Sequence, residues 1–366
     1  MRIGIITFHN AINYGAVIQC YALMRFFEQR GHCVDIIDYR NSEIEGYRKS
    51  FSLKGIVENR GIIRKTKYIL AYIFLNKRKK KVIKAFDDFL ASKIKLSKRY
   101  YLGHNLPVDY DYVIFGSDQI WNLKLTKGFD PVLWGQIEKG KAVFATYAAS
   151  MGELSFLKDD EWRIAMDYFY SFDYISVRER SLKDYLCTKI SKTIDYCIDP
   201  TLLVDGAILD SIAIQPQDNN YIYMYNITKD KYAESFACSM AHKLGCKLII
   251  TYPKPNAFIK KNDDCDIREA LSPEEFLGYI KNARLVLGNS FHVIALSLVF
   301  RKDFYSLDSY RSDRIKNILK NIGLISRHVY STEKNVDVAT IDYSEVEVKL
   351  SQMRKDSMSY IDKLGL

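Results

Sequence analysis

The fold class of this chain follows from residues 3–38, which read IGIITFHNAINYGAVIQCYALMRFFEQRGHCVDIID. Residues 3–8 and 33–38 are short, mostly apolar runs, and each predicts a β-strand. Between them, apolar residues recur at helical spacing over 17–27, and Gly31 stands where such a helix would end. Two strands joined through one helix lie parallel, so this unit predicts an α/β sheet.

The length of 366 residues predicts two domains, because a single hydrophobic core stops growing at about 250–300 residues. The alternation of strands and helices breaks at the polar stretch 215–220 and then restarts. We therefore predict two Rossmann-like α/β domains that face each other across a cleft. The predicted boundaries are 1–204 for the first domain, with a basic helical insertion at about 45–105, 205–342 for the second domain, and 343–366 for a closing helix.

Composition excludes several classes of protein. With 48% hydrophobic and 27% charged residues, the chain is neither disordered nor a coiled coil. Its longest apolar runs, such as 68–75, are shorter than the roughly 18–20 residues that cross a bilayer, and residues 3–7 are too short for a signal-peptide core. We therefore expect a cytoplasmic location. The seven cysteines include no C-x-x-C pair and the histidines are dispersed, so we expect no structural metal.

The net charge of +10 is concentrated in one segment. Between Lys54 and Arg99, 15 Lys and Arg residues face three acids, an excess of 12. One interpretation is a solvated helical pair that covers the first domain. The other is peripheral contact with the anionic inner membrane surface. We do not expect nucleic acid as a partner, because no helix-turn-helix, zinc-finger or RNP-type signature accompanies the charge.

Motifs for familiar cofactors are missing from the sequence. It contains no G-x-G-x-x-G, no P-loop and no G-x-S-x-G. The pair Asp264 and Asp266 has the spacing of a metal-binding acidic motif, but we place it in a lysine-rich loop and not at a strand end. The pair Asp109 and Asp111 precedes its strand, which is the wrong end for a ligand site. We expect neither a metal nor a cofactor.

Polar groups follow three predicted strands, where parallel sheets bind ligands. These segments are Gly116-Ser117-Asp118-Gln119-Ile120-Trp121-Asn122, Ser176-Val177-Arg178-Glu179-Arg180 and Gly288-Asn289-Ser290-Phe291-His292. Asp118 either caps a helix or meets a sugar hydroxyl. Arg178 either pairs with Glu179 or binds a carboxylate or phosphate. His292 opens a helix whose free N–H groups attract phosphate, and it can donate a proton there.

These segments resemble, in order, the polysaccharide pyruvyl transferase family. The matching strings are Ile6-Thr7-Phe8-His9-Asn10, Asn13-Tyr14-Gly15-Ala16-Val17-Ile18-Gln19, the 116–122 segment, Ala148-Ala149-Ser150, Ser176-Val177-Arg178-Glu179, Ile198-Asp199-Pro200-Thr201-Leu202-Leu203, Asn289-Ser290-Phe291-His292, and Arg311, Arg314-Ile315, Leu319 and Gly323-Leu324. The resemblance spans about residues 5–325 and leaves out the basic region 45–105.

The resemblance implies a GT-B-like fold, with the first domain on the acceptor side and the second on the donor side. It implies phosphoenolpyruvate as the donor and, as acceptor, a sugar of a surface or capsular polysaccharide or of its lipid-linked precursor. The product would be a pyruvate ketal, with phosphate released. Two alternatives remain open: a GT-B-type glycosyltransferase with a nucleotide-sugar donor, and a carbohydrate- or membrane-binding scaffold without activity.

The resemblance also implies roles for individual residues. His292 and Asp118 are the expected catalytic residues, His292 as the proton donor to the donor's methylene carbon. Ser290 stands where some members have arginine and Val293 where many have glycine, so another cation must compensate. The expected donor-binding residues are Arg178, Ser290, Asn289, Arg311 and Arg314, and the expected acceptor-binding residues are Asn13, Tyr14, Gly15, Ser117, Gln119 and Asn122.

Overall fold

A computed structural model describes residues 1–46, 48, 62–103, 109–253, 265–308, 313–330 and 339–366, with the backbone alone for 62–75, 156, 308 and 313. Arg311 and part of the basic insertion lie outside the described residues.

The first domain is built on a seven-stranded parallel sheet with the strand order β3-β2-β1-β4-β5-β6-β7. Its strands are β1 (Arg2–Ile6), β2 (Cys33–Arg40), β3 (Leu96–Tyr101), β4 (Tyr112–Asp118), β5 (Val143–Ala149), β6 (Ile175–Val177) and β7 (Ile194–Tyr196). Its helices are α1 (Tyr14–Gln29), α2 (Ser42–Glu45), α3 (Ile62–Lys93), α4 (Leu123–Thr126), α5 (Asp159–Phe169), α6 (Arg180–Cys187), α7 (Pro200–Leu203) and α8 (Gly206–Asp210).

The second domain repeats this architecture on a six-stranded parallel sheet with the order β10-β9-β8-β11-β12-β13. The strands are β8 (Tyr221–Tyr225), β9 (Lys247–Thr251), β10 (Cys265–Ile267), β11 (Leu285–Gly288), β12 (Phe304–Asp308) and β13 (His328–Tyr330). The helices are α9 (Lys231–Leu244), α10 (Pro273–Asn282), α11 (Phe291–Val299), α12 (Asp313–Asn321) and, at the end of the chain, α13 (Tyr343–Lys363).

The central strands follow from their apolar runs. Every residue of β8 and all but the first of β1 are buried, because helices cover both faces of a parallel sheet. The order of each sheet reverses at one point, between β1 and β4 in the first domain and between β8 and β11 in the second. Ligands of such sheets bind at these reversals, beyond the carboxyl ends of the strands.

The last helix returns to the first domain and joins it to the second. Tyr360 of α13 donates from its hydroxyl to Thr146 O at 2.6 Å, and Ile198 N donates to Ser357 Oγ at 3.0 Å. The two doubly wound α/β domains expected from the sequence are confirmed by the strand orders of the two sheets. Among the helices of the described residues, none is both long and apolar enough to span a membrane.

One local expectation was wrong. Cys265–Ile267 is an edge strand parallel to β9 and not a loop, because its backbone pairs with that strand. Of the helical pair that is one interpretation of the basic insertion, the structure describes the 32-residue helix α3, which leads into the edge strand β3. Residues 47 and 49–61 lie outside the described residues, so the pair stays a prediction.

Candidate active site between the two domains

The centre of the cleft is the buried guanidinium of Arg178, which follows β6 and is 6% exposed. Its Nη1 donates to Asp199 Oδ2 at 2.7 Å. Its Nη2 lies 3.6 Å from Asp118 Oδ1, and its Nε lies 3.7 Å from Glu179 Oε1. Because these acids end or follow β4, β6 and β7, the sheet itself brings three carboxyl groups around one cation.

The charges of this cluster shift one another's pKa values. Burial alone lowers the pKa of Arg178, but Asp199, Glu179 and Asp118 outweigh it and raise that pKa above its usual value. Burial alone raises the pKa of Asp199, but His292 and Arg178 outweigh it and hold that pKa well below the ordinary range. For Glu179 burial dominates and raises the pKa. The site therefore combines a cation and a carboxylate that their neighbours stabilise in the charged form with a carboxyl group, Glu179, whose pKa is raised by burial.

His292 reaches this cluster from the second domain, near the start of α11. Its Nε2 lies 3.5 Å from Asp199 Oδ2. The other side of the ring packs against α1 so closely that a Cβ atom on Gly15 would lie 2.1 Å from His292 Nδ1. Only glycine at position 15 leaves room for the imidazole. Gly15, which was expected to bind the acceptor, thus leaves the space that the His292 ring occupies.

A pocket opens beside Arg178 between the domains. Its walls are formed by Arg178, Glu179, Arg180, Tyr196, Ile198, Asp199, Leu202, Phe291, Arg314, Asn317 and Ile318. The Phe291 ring centroid lies 5.2 Å from the Arg178 guanidinium carbon, a cation–π contact across the cleft. His292 is not among the described residues of this wall.

The second cation of the cavity is Arg314 on α12. Burial, with a smaller contribution from Arg178, lowers the pKa of Arg314. With its oxygen turned toward Arg314, the Gln119 amide accepts from Nη1 at 3.0 Å and from Nη2 at 3.2 Å. The structure thus brings Gln119, an expected acceptor-binding residue of the first domain, to Arg314, an expected donor-binding residue of the second.

The other expected acceptor-binding residues have structural partners. Asn13 and Asn122 are N-caps of α1 and α4. Ser117 is fully buried, and its Oγ donates to Ala148 O at 3.2 Å. Tyr14 donates to Leu271 O at 3.0 Å and stacks on Phe276 of α10 with ring centroids 4.2 Å apart. Tyr14 therefore joins α1 to the second domain.

The expected donor-binding residues at the start of α11 differ in environment. Asn289 accepts from Ile227 N at 2.9 Å and donates to Thr228 Oγ1 at 2.7 Å, so it braces the loop after β8. Ser290 is the N-cap of α11 and is buried, but its side chain makes no capping hydrogen bond. Neither residue belongs to the described wall of the cavity.

Sequence reasoning missed Asp199 as a site residue. Its Oδ1 accepts from Thr201 N at 3.0 Å and Thr201 Oγ1 at 2.7 Å, as the cap of α7. Its Oδ2 remains for Arg178 and His292. The Asp199-Pro200-Thr201 string was visible, but it reads as a helix cap with proline at N1, and the second role needs the fold.

The described residues contain no group of three or more His, Cys, Asp and Glu side chains placed to hold a metal ion. The acids around Arg178 are instead arranged about guanidinium groups. This arrangement suits a small anion that competes for the same N–H donors.

The comparison with family models decides the family. The model of polysaccharide pyruvyl transferase matches residues 13–310, which include all the residues of the cluster around Arg178. The chain belongs to the polysaccharide pyruvyl transferase family. Membership confirms the resemblance carried by the strand-end motifs, and it makes the chain a transferase of polysaccharide biosynthesis. A search of curated protein sequences returned no match.

Solved structures resemble the fold at low sequence identity. UDP-GlcNAc 2-epimerase from Methanocaldococcus jannaschii has a TM-score of 0.47 and 13% identity, covering 97% of this chain and 93% of that chain. The glycosyltransferase SnogD from Streptomyces nogalater has a TM-score of 0.42 and 9% identity, covering 98% and 95%.

Proposed function

We propose that this protein transfers the enolpyruvyl group of phosphoenolpyruvate to a sugar of a surface or capsular polysaccharide, or of its lipid-linked precursor. The observation that carries the proposal is the environment of the Arg178 guanidinium. Its Nε and Nη2 groups are buried without a hydrogen-bond partner among the described residues, although Arg178 lies on the cavity wall. Unpaired buried donors are costly, and an anion would satisfy them.

Phosphoenolpyruvate has the chemistry that this cavity can hold. It carries a carboxylate and a phosphate on a three-carbon frame, and two guanidinium groups, Arg178 and Arg314, can each form a forked pair with one of them. The apolar wall near Phe291 would pack against the methylene group. The donor thus needs neither a metal nor a further cofactor.

The reaction forms a ketal in two additions. The π electrons of the donor's double bond first form a C–H bond with a proton at the methylene carbon, and one sugar hydroxyl attacks carbon 2 and loses its proton. A second hydroxyl then displaces the phosphate, whose oxygen leaves with the bonding electron pair. Asp118, whose Oδ1 lies 3.6 Å from Arg178 Nη2, would orient the first hydroxyl or accept its proton. Gln119 would fix Arg314 while the donor is bound.

A melting scan tests the donor. Phosphoenolpyruvate should raise the melting temperature more than equal concentrations of pyruvate, UDP or GDP, because a ligand that binds only the native state stabilises it. Incubation with phosphoenolpyruvate and galactose- or mannose-bearing acceptors should then release phosphate and add pyruvate mass. Stabilisation by UDP or GDP alone would favour a nucleotide-sugar donor instead.

We also propose a location for the enzyme at the cytoplasmic face of the membrane. The described part of α3 exposes Lys77, Lys80 and Lys81, and basic side chains near an anionic leaflet each contribute about 1 kcal/mol to binding. Such a position would bring the cleft close to lipid-linked acceptors.

A further inference from the structure

The carboxyl group of Glu179 lies on the cavity wall next to both donor-binding cations. Glu179 is 6% exposed and directly follows Arg178. Although it stands at the N-cap of α6, its side chain makes no capping hydrogen bond. Its Oε1 accepts from Ser150 Oγ at 2.5 Å, and its Oε2 is buried without a hydrogen-bond partner among the described residues. One oxygen is held in place and the other is available.

Several charges face this carboxyl group. Arg178, Arg314 and the Ser150 hydroxyl favour its ionised form, and Asp118 favours the protonated form. The effect of burial on the pKa of Glu179 is larger than the opposing effects of Arg178, Arg314 and Ser150, so this pKa is raised above its usual value. A buried carboxylic acid that keeps its proton can act as a general acid.

His292 is less suitably placed for the same step. Its Nε2 lies 3.5 Å from Asp199 Oδ2 without a hydrogen bond among the described residues, and its Nδ1 lies where a side chain of residue 15 would be. The ring therefore lies between Asp199 and α1, whereas Glu179 lies on the described wall of the cavity. The position suits a group that fixes Asp199, and through it Arg178, across the cleft.

Resting on the proposed function, we propose that Glu179 donates the proton that converts the methylene carbon of bound phosphoenolpyruvate into a methyl group. The O–H bond of Glu179 breaks, and the π electrons of the double bond form the new C–H bond. Carbon 2 becomes an oxocarbenium-like centre, which the sugar hydroxyl attacks through its oxygen.

The protons balance over the whole reaction. Two sugar hydroxyls lose one proton each when they form the ketal. One of these protons restores the carboxyl group of Glu179, and the other leaves on the released phosphate. The step needs no oxidant, reductant or metal.

Glu179→Gln tests this role, because glutamine keeps the shape and the acceptor for Ser150 but cannot donate an acidic proton. Phosphate release should fall about 10²–10⁴-fold, the usual contribution of a general acid, while phosphoenolpyruvate still raises the melting temperature. Glu153→Gln is the matched control: Glu153 is an exposed acid that also acts electrostatically on Arg314, and its variant should keep wild-type turnover.

The pH profile gives a second readout. A required acid is active below its pKa and inactive above it, so kcat should fall as pH rises through the pKa of Glu179. Ser150→Ala removes a hydrogen bond to the ionised form, raises that pKa further, and should move this limb of the profile to higher pH. An unchanged limb would overturn the assignment, even if Glu179→Gln fails to fold.

The outcomes separate the two proposals. If the wild-type enzyme releases no phosphate from phosphoenolpyruvate with any acceptor, the proposed function fails. If the wild-type enzyme turns over and Glu179→Gln matches it, the role of Glu179 fails and the proposed function stands.

Discussion

Gly15 shows how a single position without a side chain sets the geometry of this site. It lies in the first turn of α1, where Asn13 caps its backbone N–H, and it faces the imidazole of His292 from the other domain. His292 in turn lies beside Asp199, which holds Arg178. The position of the central cation therefore depends on a close approach between the backbone of Gly15 and the side chain of His292.

Gly15→Ala should push His292 away from α1. The new Cβ would lie 2.1 Å from His292 Nδ1, so the domains must shift, and overpacking of this kind costs about 1–3 kcal/mol. A displacement of about 1 Å at a reacting centre can cost roughly 10²-fold in rate. Urea unfolding and phosphate release measure both effects. Gly206→Ala is the control, since its Cβ would lie 3.3 Å from Val299 Cγ1; a wild-type rate for Gly15→Ala would contradict the contact.

Arg178→Lys should weaken donor binding while it keeps the charge. Lysine cannot present the planar fork that a carboxylate or phosphate pairs with, and hydrogen bonds to charged groups contribute about 1.5–3 kcal/mol. The KM for phosphoenolpyruvate should therefore rise roughly tenfold or more. Arg163→Lys, at an exposed site on α5, controls for the substitution. An unchanged KM would remove Arg178 from the donor site.

The sequence predicted the polar residues of the site better than their partners. Arg178 and Arg314 were visible because each belongs to a motif. Their convergence with Glu179 and Asp199 was not, because those acids come from different strand ends and read locally as a salt-bridge partner and a helix cap. The capping roles of Asn13 and Asn122 were harder still to predict, since the same amide can bind a sugar or close a turn.

Helix α13, at the end of the chain, supports the backbone of the site. Ser357 Oγ accepts from Ile198 N at 3.0 Å and donates to Met353 O at 3.0 Å. Ile198 immediately precedes Asp199, so a helix at the end of the chain fixes the backbone that carries the central carboxylate.

Ser357→Ala should loosen that backbone. It leaves the buried N–H of Ile198 unpaired, which costs about 1–3 kcal/mol of unfolding free energy, and it should lower kcat as Asp199 moves. Ser351→Ala on the same helix removes a half-exposed hydroxyl that donates to Glu347. It should change the unfolding free energy by no more than about 0.5 kcal/mol and leave kcat unchanged. Equal effects of the two variants would contradict the coupling.

Burial explains only part of what the sequence revealed. The apolar runs 3–8 and 33–38 predicted strands, and β1 and β2 lie there. The edge strands β3, β10 and β13 were missed, because each is at most partly buried along its length and lacks both the apolar run and the alternation that reveal a strand. The buried strand β12 was missed as well.

At the scale of the molecule, two buried aspartates govern acid stability. Burial alone raises the pKa of Asp38, but His9 and Arg40 outweigh it and hold that pKa below the usual range. Asp199 is shifted in the same direction. Each therefore stabilises the fold above the unfolded-state pKa of about 3.9 and loses that contribution as pH falls toward its folded value.

The unfolding free energy should thus decrease steadily below about pH 4. Urea unfolding at several pH values measures the slope. Asp38→Asn should lower stability at pH 7 and flatten this decrease, whereas Asp184→Asn, at an exposed site, should leave the slope unchanged. A slope that is equal in wild type and Asp38→Asn would contradict the shift.

The proposed membrane contact would depend on exposed lysines of α3. The triple variant Lys77→Gln, Lys80→Gln and Lys81→Gln should bind vesicles with anionic lipid roughly 10²-fold more weakly, at about 1 kcal/mol for each charge. Cosedimentation measures the loss. The matched control removes three exposed lysines elsewhere: Lys141, Lys189 and Lys320. Equal losses from both triple variants would indicate a general charge effect without a dedicated surface.

The close approach of Gly15 and His292 also has an evolutionary consequence. A side chain at position 15 and an imidazole at position 292 would occupy the same volume. A lineage that acquires a larger residue at 15 therefore remains fit only if position 292 becomes smaller in the same lineage. Substitutions at the two positions should appear together in the descent of this protein, although they lie in different domains.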